Sequence, residues 1–390
     1  MLTNLVVLLT RLLVKNMELK LITEVDDLQG KYVLVRASFN VPLVEGKVRN
    51  DFRLKRALPT LKFLQDNGAK TIVISHIGRE PEETLMPVYE ELKNTLPMKW
   101  GGVITDEAFL DIRNDLQEGE IVVCENLRQD EREEANDPVL AEIIANFGDL
   151  YVNDAFAEAH REHTSTFGVA KLLPAYAGIT LAEEVEHLMK MMAPKSPSIL
   201  LLGGAKFETK MPLVEKYLKL YDHVFIGGAL THDILKARGL EIGKSLVSDV
   251  SLVEAPFLWS EKVLVPIDVV VEGKSGEETK PADSVLPEDI IYDLGYETIM
   301  MLKPYIEKAE TILWNGPFGN YEKGFEEGTE AIAELVAGAS GFSVIGGGDT
   351  VAAVNKLNLA DKFGFMSIGG GSMLTLLEHG STPALDLLRK

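Results

Sequence analysis

Arginine and histidine side chains follow the apolar segments in the first half of the chain. They are Arg36, His76, Arg79, Arg128, His160, Arg161 and His163, and Arg53 opens the helical stretch after the first segment. The planar guanidinium of arginine binds carboxylate and phosphate groups through paired hydrogen bonds. Any one of these arginines could be an ordinary solvated side chain. Their repeated placement, in a chain with a net charge of −21, predicts one basic pocket for a small anion.

Glycine-rich turns occupy the equivalent places in the second half. They are Gly203-Gly204, Gly227-Gly228, Asn315-Gly316-Pro317-Phe318-Gly319, Gly346-Gly347-Gly348 and Gly369-Gly370-Gly371. One such turn could reflect packing alone. Their repetition along one predicted sheet edge indicates backbone that approaches a ligand closely.

The apolar segment 342–345 leads through three glycines into Asp349, Thr350 and a helical stretch. A glycine turn before a helix N-terminus presents N–H groups and partial positive charge to a phosphate. Asp349 could hold a hard cation such as Mg²⁺. Thr350 could cap the helix and also meet a phosphate oxygen. Taken alone, the stretch could equally be a tight turn between strand and helix.

The elements that carry these residues alternate between strands and helices. Such alternation predicts an α/β fold with parallel sheets covered by helices. Ligands of parallel sheets bind beyond the carboxyl ends of the strands, where the residues above are placed. We predict strands at 31–36, 69–75, 120–124, 149–152, 198–202, 223–226, 311–314, 342–345 and 362–368, and helices at 53–67, 87–94, 138–146 and 233–238.

A helical stretch separates the two halves. Leu181, Val185, Leu188 and Met192 recur at helical spacing, and prolines interrupt the chain directly afterwards. We therefore expect an N-terminal domain at 17–176, an interdomain helix at 177–192 and a C-terminal domain at 193–372. An anion pocket in one half and a nucleotide-like site in the other suggest phosphoryl transfer, in which Lys206 and Lys210 could neutralise the transferring phosphate. Either lysine could equally be a solvated helix residue.

Composition limits the remaining function classes. Strong negative charge disfavours binding to nucleic acid or to anionic membranes. The single cysteine excludes an internal disulfide framework. Residues 1–16 are apolar but contain Arg11 and are too short to span a membrane. No small-residue cleavage site follows them, so we expect a non-essential extension or a start at Met17 in place of a signal peptide.

From about Tyr32 to its C-terminus the chain resembles the phosphoglycerate kinase family. The resemblance lies in stretches that follow one another in family order: 36–42, 67–70, 75–79, 125–128, 152–156, 159–163, 203–206, 313–317, 346–350 and 369–372. It implies two Rossmann-like domains joined by an interdomain helix and a hinge, with 373–390 packing back on the N-terminal domain. It also implies a cytoplasmic monomer that interconverts 1,3-bisphosphoglycerate and ADP with 3-phosphoglycerate and ATP, using Mg²⁺ and domain closure.

The resemblance implies a role for particular residues. Arg53 and Lys206 would act on the transferred phosphoryl group, and Asp349 would bind Mg²⁺. The phosphoglycerate would contact Ser38, Phe39, Asn40, Arg53, His76, Ile77, Gly78, Arg79, Arg128 and Arg161. The nucleotide would contact Gly204, Ala205, Lys210, Gly228, Asn315, Pro317, Gly319, Glu322, Gly347, Gly348, Asp349 and Thr350, with Glu322 on the ribose.

The chain departs from the family pattern at Ser38, where the family usually has aspartate. A serine hydroxyl carries no charge, so it is open whether Ser38 makes the contact to the substrate hydroxyl. One alternative function is therefore that of a homologue that binds the ligands but turns them over weakly. Arg53, Lys206, Lys210 and Asp349 are all present, which favours an active kinase. A dehydrogenase is a more distant alternative, because no Gly-x-Gly-x-x-Gly fingerprint opens the chain.

Overall fold

The computed structural model describes residues 17–205, 210–249, 252 and 255–390. These residues form two compact units. One unit contains 17–186 together with 381–390, and the other contains the described residues of 187–380. The segment 1–16 and Lys206 lie outside the described residues.

The first unit contains a parallel six-stranded sheet. The strands in chain order are β1 (Tyr32–Arg36), the short pair β2 (Leu43–Val44) and β3 (Lys47–Val48), β4 (Lys70–Ile74), β5 (Lys99–Gly102), β6 (Ile121–Cys124), β7 (Leu150–Asn153) and β8 (Ala175–Ala177). The order in the main sheet is β5-β6-β4-β1-β7-β8, and β2 pairs only with β3. Residues of β1, β4, β6 and β7 are almost all buried, as expected for strands covered on both faces.

Helices of the first unit cover this sheet. They are α1 (Phe52–Asp66), α2 (Met86–Leu92), α3 (Ala108–Asn114), α4 (Pro138–Ala145) and α5 (Ile179–Met191). Leu54, Leu61 and Leu64 of α1 pack with Val35 and Val73 of the sheet in one apolar core. Helix α1 continues across Pro59.

Helix α5 carries the chain from the first unit to the second and begins at Ile179. The expected start at 177 lies in strand β8, because Ala175–Ala177 pairs with β7. Asp154, which follows β7, accepts a hydrogen bond from Leu181 N at 3.0 Å, so a side chain from the sheet edge holds the first turn of the helix.

The second unit contains another parallel six-stranded sheet and a small antiparallel sheet. The strands are β9 (Ser198–Leu202), β10 (His223–Ile226), β11 (Val263–Leu264), β12 (Asp268–Gly273), β13 (Gly276–Pro281), β14 (Ile290–Leu294), β15 (Thr311–Asn315), β16 (Phe342–Gly346) and β17 (Phe365–Ser367). The parallel order is β11-β10-β9-β15-β16-β17, and the antiparallel order is β13-β12-β14. The α/β prediction with two parallel sheets is confirmed, whereas the antiparallel sheet was not predicted.

The helices of the second unit flank its parallel sheet or support the turns. They are α6 (Met211–Tyr217), α7 (Leu230–Ala237), α8 (Tyr296–Lys308), α9 (Glu327–Gly338), α10 (Gly348–Lys356) and α11 (Gly371–His379). Within the described ranges, no helix is both long enough and apolar enough to cross a membrane.

The last ten residues return to the first unit. Lys20 N donates to Leu388 O at 2.8 Å, and Ala384 N, in helix α12 (Pro383–Leu387), donates to Ala159 O at 3.2 Å. Residues 373–380, expected to join this segment, belong instead to the 187–380 unit. The reason is visible in α11, where Met373, Leu376 and Leu377 are buried and Leu377 O accepts from Lys216 Nζ at 2.7 Å.

Candidate functional site

Buried basic groups meet at the carboxyl edge of the first sheet. Arg36, at the end of β1, is fully buried, and its Nη2 lies 2.7 Å from His76 Nδ1. Burial, and then the positive charges of Arg36, Arg128 and Arg161, strongly lower the pKa of His76. His76 is therefore neutral, and its Nδ1 accepts from the guanidinium. Arginines that are distant in sequence therefore act on one histidine at this edge of the sheet.

The loops around this pocket are tied together by side-chain hydrogen bonds. Asn126, after β6, donates to Ile77 O at 3.0 Å and Glu83 O at 2.8 Å, and it accepts from Ile77 N at 3.1 Å. Asn40 Oδ1 accepts from Gly78 N at 3.0 Å, and Arg128 donates to Gly78 O. The loop 76–79 is thus fixed from three sides before any ligand binds.

The other sequence-predicted residues of this site differ in exposure. Phe39 and Ile77 are buried in the core, so only their backbone atoms face the loops. Arg53 is half-buried and donates to Asn40 O at 2.9 Å. Arg79 and Arg161 are exposed at the rim. Burial, followed by the charge of Arg161, lowers the pKa of neighbouring His163 to about 4, so His163 adds no charge near neutrality.

A cavity of about 410 Å³ opens at the carboxyl edge of the second sheet. It has the size of a small-molecule site. The residues predicted for the nucleotide that line it are Gly204, Ala205, Gly228, Pro317, Gly319, Glu322 and Asp349. Apolar side chains of the antiparallel sheet, including Val269 and Ile291, form part of its wall. The cavity therefore combines apolar side chains and backbone turns with three carboxylates, those of Asp293, Glu322 and Asp349.

Lys210 lies at the floor of these turns. Its Nζ donates to Gly203 O and lies so close to Gly204 and Gly316 that a Cβ on either would be 2.9 Å from it. Burial lowers the pKa of Lys210 to about 8. The lysine is thus a buried cation held at the point where two of the glycine turns meet.

The glycine turns serve two different purposes. A Cβ on Gly203 would be 2.2 Å from Pro317 O, and one on Gly346 would be 2.1 Å from Met373 Sδ. At these positions glycine permits packing of the protein against itself, contrary to the expectation that all the turns exist for ligand approach. Gly348 and Gly370, by contrast, have no neighbouring atom within 4 Å of the Cβ position, so their backbone is open to a ligand.

The turn 346–350 starts helix α10 as expected, with Gly347 (φ 102°) before it and Asp349 in its first turn. Thr350 does not cap the helix. It is fully buried, and its Oγ1 accepts from Gly316 N at 3.1 Å, which ties two turns together. Asn315 is also buried, with Nδ2 lying 3.7 Å from Met373 Sδ. Glu322 and Asp349 remain exposed.

Asp349 is the predicted metal ligand, and no group of three or more metal-binding side chains occurs in the described part of the chain. This donor set fits Mg²⁺, which binds in proteins through one or two carboxylates with the remaining positions filled by water and substrate phosphate oxygens.

Sequence reasoning missed several residues of both sites. Asn126 lies inside a quoted motif, but its burial and its cross-loop hydrogen bonds depend on neighbours far along the chain. The missed cavity residues are Ala229, Thr231, His232, Leu246, Pro266, Val269, Ile290, Ile291, Tyr292, Asp293, Leu294, Phe318, Asn320 and Tyr321. Most have no chemical signal of their own, because apolar residues of a small sheet look the same whether they line a core or a cavity.

Comparison with known proteins agrees with this geometry. The sequence model of the family "Phosphoglycerate kinase" matches residues 22–380. The phosphoglycerate kinase of Dictyoglomus turgidum is 41% identical over 384 residues, covering 93% of this chain and 97% of the relative. That of a Thermus thermophilus strain is 41% identical over 382 residues, covering 93% of this chain and 98% of the relative.

A solved structure shows the same fold. The phosphoglycerate kinase of Coxiella burnetii superposes with a TM-score of 0.82 at 34% identity, covering 95% of this chain and 98% of that one. The family match extends over nearly the whole chain and the relatives are aligned over nearly their whole lengths. The chain belongs to the phosphoglycerate kinase family.

Proposed function

We propose that the chain is a phosphoglycerate kinase of glycolysis and gluconeogenesis. It transfers a phosphoryl group reversibly from 1,3-bisphosphoglycerate to ADP, giving 3-phosphoglycerate and ATP. The observation that carries the proposal is the pairing of a buried basic pocket in one unit with a cavity lined by glycine turns in the other. Both belong to a chain that matches the family along nearly its whole length.

In the first unit, the basic pocket would hold the phosphoglycerate. Arg128, Arg161 and Arg79 would bind its phosphate and carboxylate groups, and His76 would present a neutral ring to them. Arg53 would contact the phosphoryl group during transfer, which agrees with its half-buried place beside Asn40. Such cations stabilise the charge spread over the oxygens of the transition state.

In the second unit, the base and ribose of the nucleotide would occupy the cavity. Glu322 would accept hydrogen bonds from the ribose, and the open backbone at Gly348 would meet the phosphates. Lys210 would neutralise phosphate oxygens from below. Asp349 would hold Mg²⁺, which neutralises charge on the phosphate oxygens when bound. On the basis of the sequence alone, we propose that Lys206 contacts the phosphoryl group during transfer.

Because the two half-sites belong to different units, the proposal requires the units to close together when both substrates are bound. Closure excludes water from the transferring group. Small-angle scattering should show a smaller radius of gyration with both substrates than with either alone. We also propose that the chain acts as a monomer, as the family resemblance implies.

A coupled assay tests the function directly. Mg-ATP and 3-phosphoglycerate together should give ADP and 1,3-bisphosphoglycerate, and either substrate alone should give none. Arg53→Ala and Lys206→Ala should each lower kcat by a factor of roughly 10² or more, because each removes a charge that acts on the transition state. Wild-type protein that binds both substrates without turnover would instead indicate a ligand-binding homologue.

A further inference from the structure

A buried carboxylate lies among the cations of the basic pocket. It belongs to Glu158, the last residue of the 3-10 turn Phe156–Glu158 that follows β7, and it is 5% exposed. Ser38, two residues beyond β1, is 2% exposed, and its Oγ donates to Glu158 Oε2 at 3.2 Å. The hydroxyl and the carboxylate thus form one unit at the edge of the sheet where the anion is proposed to bind.

A carboxylate at this place weakens the binding of an anion in the basic pocket. It lies 3.9 Å from Arg36 Nη1 and 3.9 Å from His76 Nε2, so it reduces the positive potential available to a phosphate or carboxylate ligand. Burial lowers the pKa of Arg128, and the charge of Glu158 is one of those that oppose this lowering. A carboxylate that weakens anion binding must serve another purpose. It either holds neighbouring residues in place or helps to recognise the ligand.

The structural alternative is that Glu158 holds Arg36 in place. Each nitrogen of the Arg36 guanidinium, however, already has another partner. Nε donates to Ser165 Oγ at 3.0 Å, Nη1 donates to Ala37 O, and Nη2 donates to His76 Nδ1 at 2.7 Å. The 3.9 Å between Arg36 and Glu158 is longer than a hydrogen bond. The position of Arg36 is therefore determined without Glu158.

The chemistry of a serine hydroxyl suggests the second purpose. A hydroxyl has one hydrogen to donate and two lone pairs to accept. Because Ser38 gives its hydrogen to Glu158, the lone pairs of its Oγ remain able to accept a hydrogen bond. The proposed substrate carries one hydroxyl group, at C2, in addition to its anionic groups. That hydroxyl can donate a hydrogen bond. Arginine and lysine side chains have no acceptor atom, so they cannot receive it.

We propose that Ser38 and Glu158 together recognise the C2 hydroxyl of the phosphoglycerate. Ser38 Oγ accepts the hydrogen bond, and Glu158 is a positioning residue that fixes the Ser38 hydroxyl in this acceptor orientation. The pair replaces the single aspartate that the family resemblance leads one to expect at position 38, with the charge supplied from another element. This inference rests on the proposed function, because it names a group of the proposed substrate.

Binding measurements without nucleotide separate recognition from turnover. Isothermal titration calorimetry would compare 3-phosphoglycerate with 3-phosphooxypropanoate, in which hydrogen replaces the C2 hydroxyl. The wild type should bind the hydroxylated ligand roughly tenfold more tightly, the effect of one hydrogen bond to an acceptor supported by charge. Glu158→Gln should reduce this preference to within about twofold, because the amide can donate to Ser38 and reverse its orientation.

The matched control is Glu162→Gln, which removes an exposed carboxylate from the same loop and should leave the preference unchanged. A purely structural role for Glu158 would weaken both ligands equally and preserve their ratio, which would overturn the inference. Equal binding of both ligands by the wild type would also overturn it, while leaving the proposed function intact. If the wild type bound neither ligand, the proposed function and the inference would fail together.

A double substitution provides a second, independent readout. Ser38→Asp alone places two carboxylates in contact and should weaken 3-phosphoglycerate binding at least fivefold, because like charges are costly when buried. Adding Glu158→Gln to Ser38→Asp should restore the preference for the hydroxylated ligand to within about threefold of wild type. Effects of the two substitutions that simply multiply would contradict coupling between these positions.

Discussion

Replacing Lys210 by methionine should stabilise the unliganded protein while weakening nucleotide binding. Lys210 is 8% exposed, and burial lowers the pKa of its ammonium group from 10.5 to about 8. Methionine has a similar length and no charge, so Lys210→Met removes the buried charge with little change in packing. The residue would thus be retained for its ligand at a cost in stability, as often occurs at functional sites.

The magnitude follows from the pKa. A lowering from 10.5 to about 8 corresponds to about 3 kcal/mol of unfavourable free energy when the group is charged in both folded and unfolded states. Loss of the hydrogen bond to Gly203 O offsets about 1 kcal/mol of this. The free energy of unfolding of the unit containing Lys210 should therefore rise by about 2 kcal/mol at pH 7.

The difference in stability between the wild type and Lys210→Met should depend on pH. Between pH 8 and 10.5 the unfolded chain binds a proton at Lys210 that the folded protein has released, so the stability of the wild type rises with pH relative to the variant. Below pH 8 both states are protonated and the full penalty is present. Above pH 10.5 both are neutral, and the advantage of the variant should disappear.

Urea unfolding at pH 7 and pH 10, with calorimetric Tm values at the same pH, measures this difference. Lys219→Met, at an exposed lysine in the same segment, is the control and should change stability by less than about 0.5 kcal/mol. Mg-ADP titrations should show at least tenfold weaker binding for Lys210→Met. A variant less stable than wild type at pH 7, or a stability difference independent of pH, would show that the buried charge of Lys210 does not destabilise the protein.

Four other substitutions test separate parts of the site. Gly348→Ala should leave stability in urea unfolding unchanged but bind Mg-ADP about tenfold more weakly. Gly346→Ala should lose about 1–3 kcal/mol of stability, because its Cβ would lie 2.1 Å from Met373 Sδ. The reverse pattern would contradict the placement of these two glycines. Asn126→Ala should cost about 2–3 kcal/mol in urea unfolding and raise KM for 3-phosphoglycerate, because it leaves buried backbone groups of loop 76–79 unpaired. Asp349→Asn should raise the Mg²⁺ concentration for half-maximal activity, and an unchanged Mg²⁺ dependence would exclude it as the ligand.

The parallel sheets could be predicted because their strands carry a local signal. Strands such as Ser198–Leu202 and Ile121–Cys124 are buried on both faces and read as continuous apolar runs. One strand of the antiparallel sheet gave no such signal. Strand Gly276–Pro281 is almost entirely polar and exposed, and its pairing with Asp268–Gly273 depends on contacts between strands. The apolar wall of the nucleotide cavity was missed because apolar strand residues look the same in the sequence whether they line a core or a cavity.

The candidate sites were predictable where one residue type carries the chemistry. Arginines after strand ends and the carboxylate of Asp349 are visible in the sequence and lie at the expected sheet edges. Side-chain hydrogen bonds between residues that are far apart in the chain could not be seen in the sequence. Glu158 and Ser38 are 120 positions apart, and neither signals a pair. Thr350 has the right type for a helix cap, but a neighbouring turn offers its hydroxyl a buried partner instead.

Transfer of labelled phosphate measures the central claim most directly. The wild-type protein would be incubated with Mg²⁺, γ-³²P-ATP and 3-phosphoglycerate, and hydroxylamine would be added to trap any acyl phosphate as a hydroxamate. We expect hydroxamate formation with equimolar ³²P release, dependent on 3-phosphoglycerate and lost in Arg53→Ala. Label that stays in ATP, or appears as phosphate without hydroxamate, would contradict phosphoryl transfer between the two half-sites.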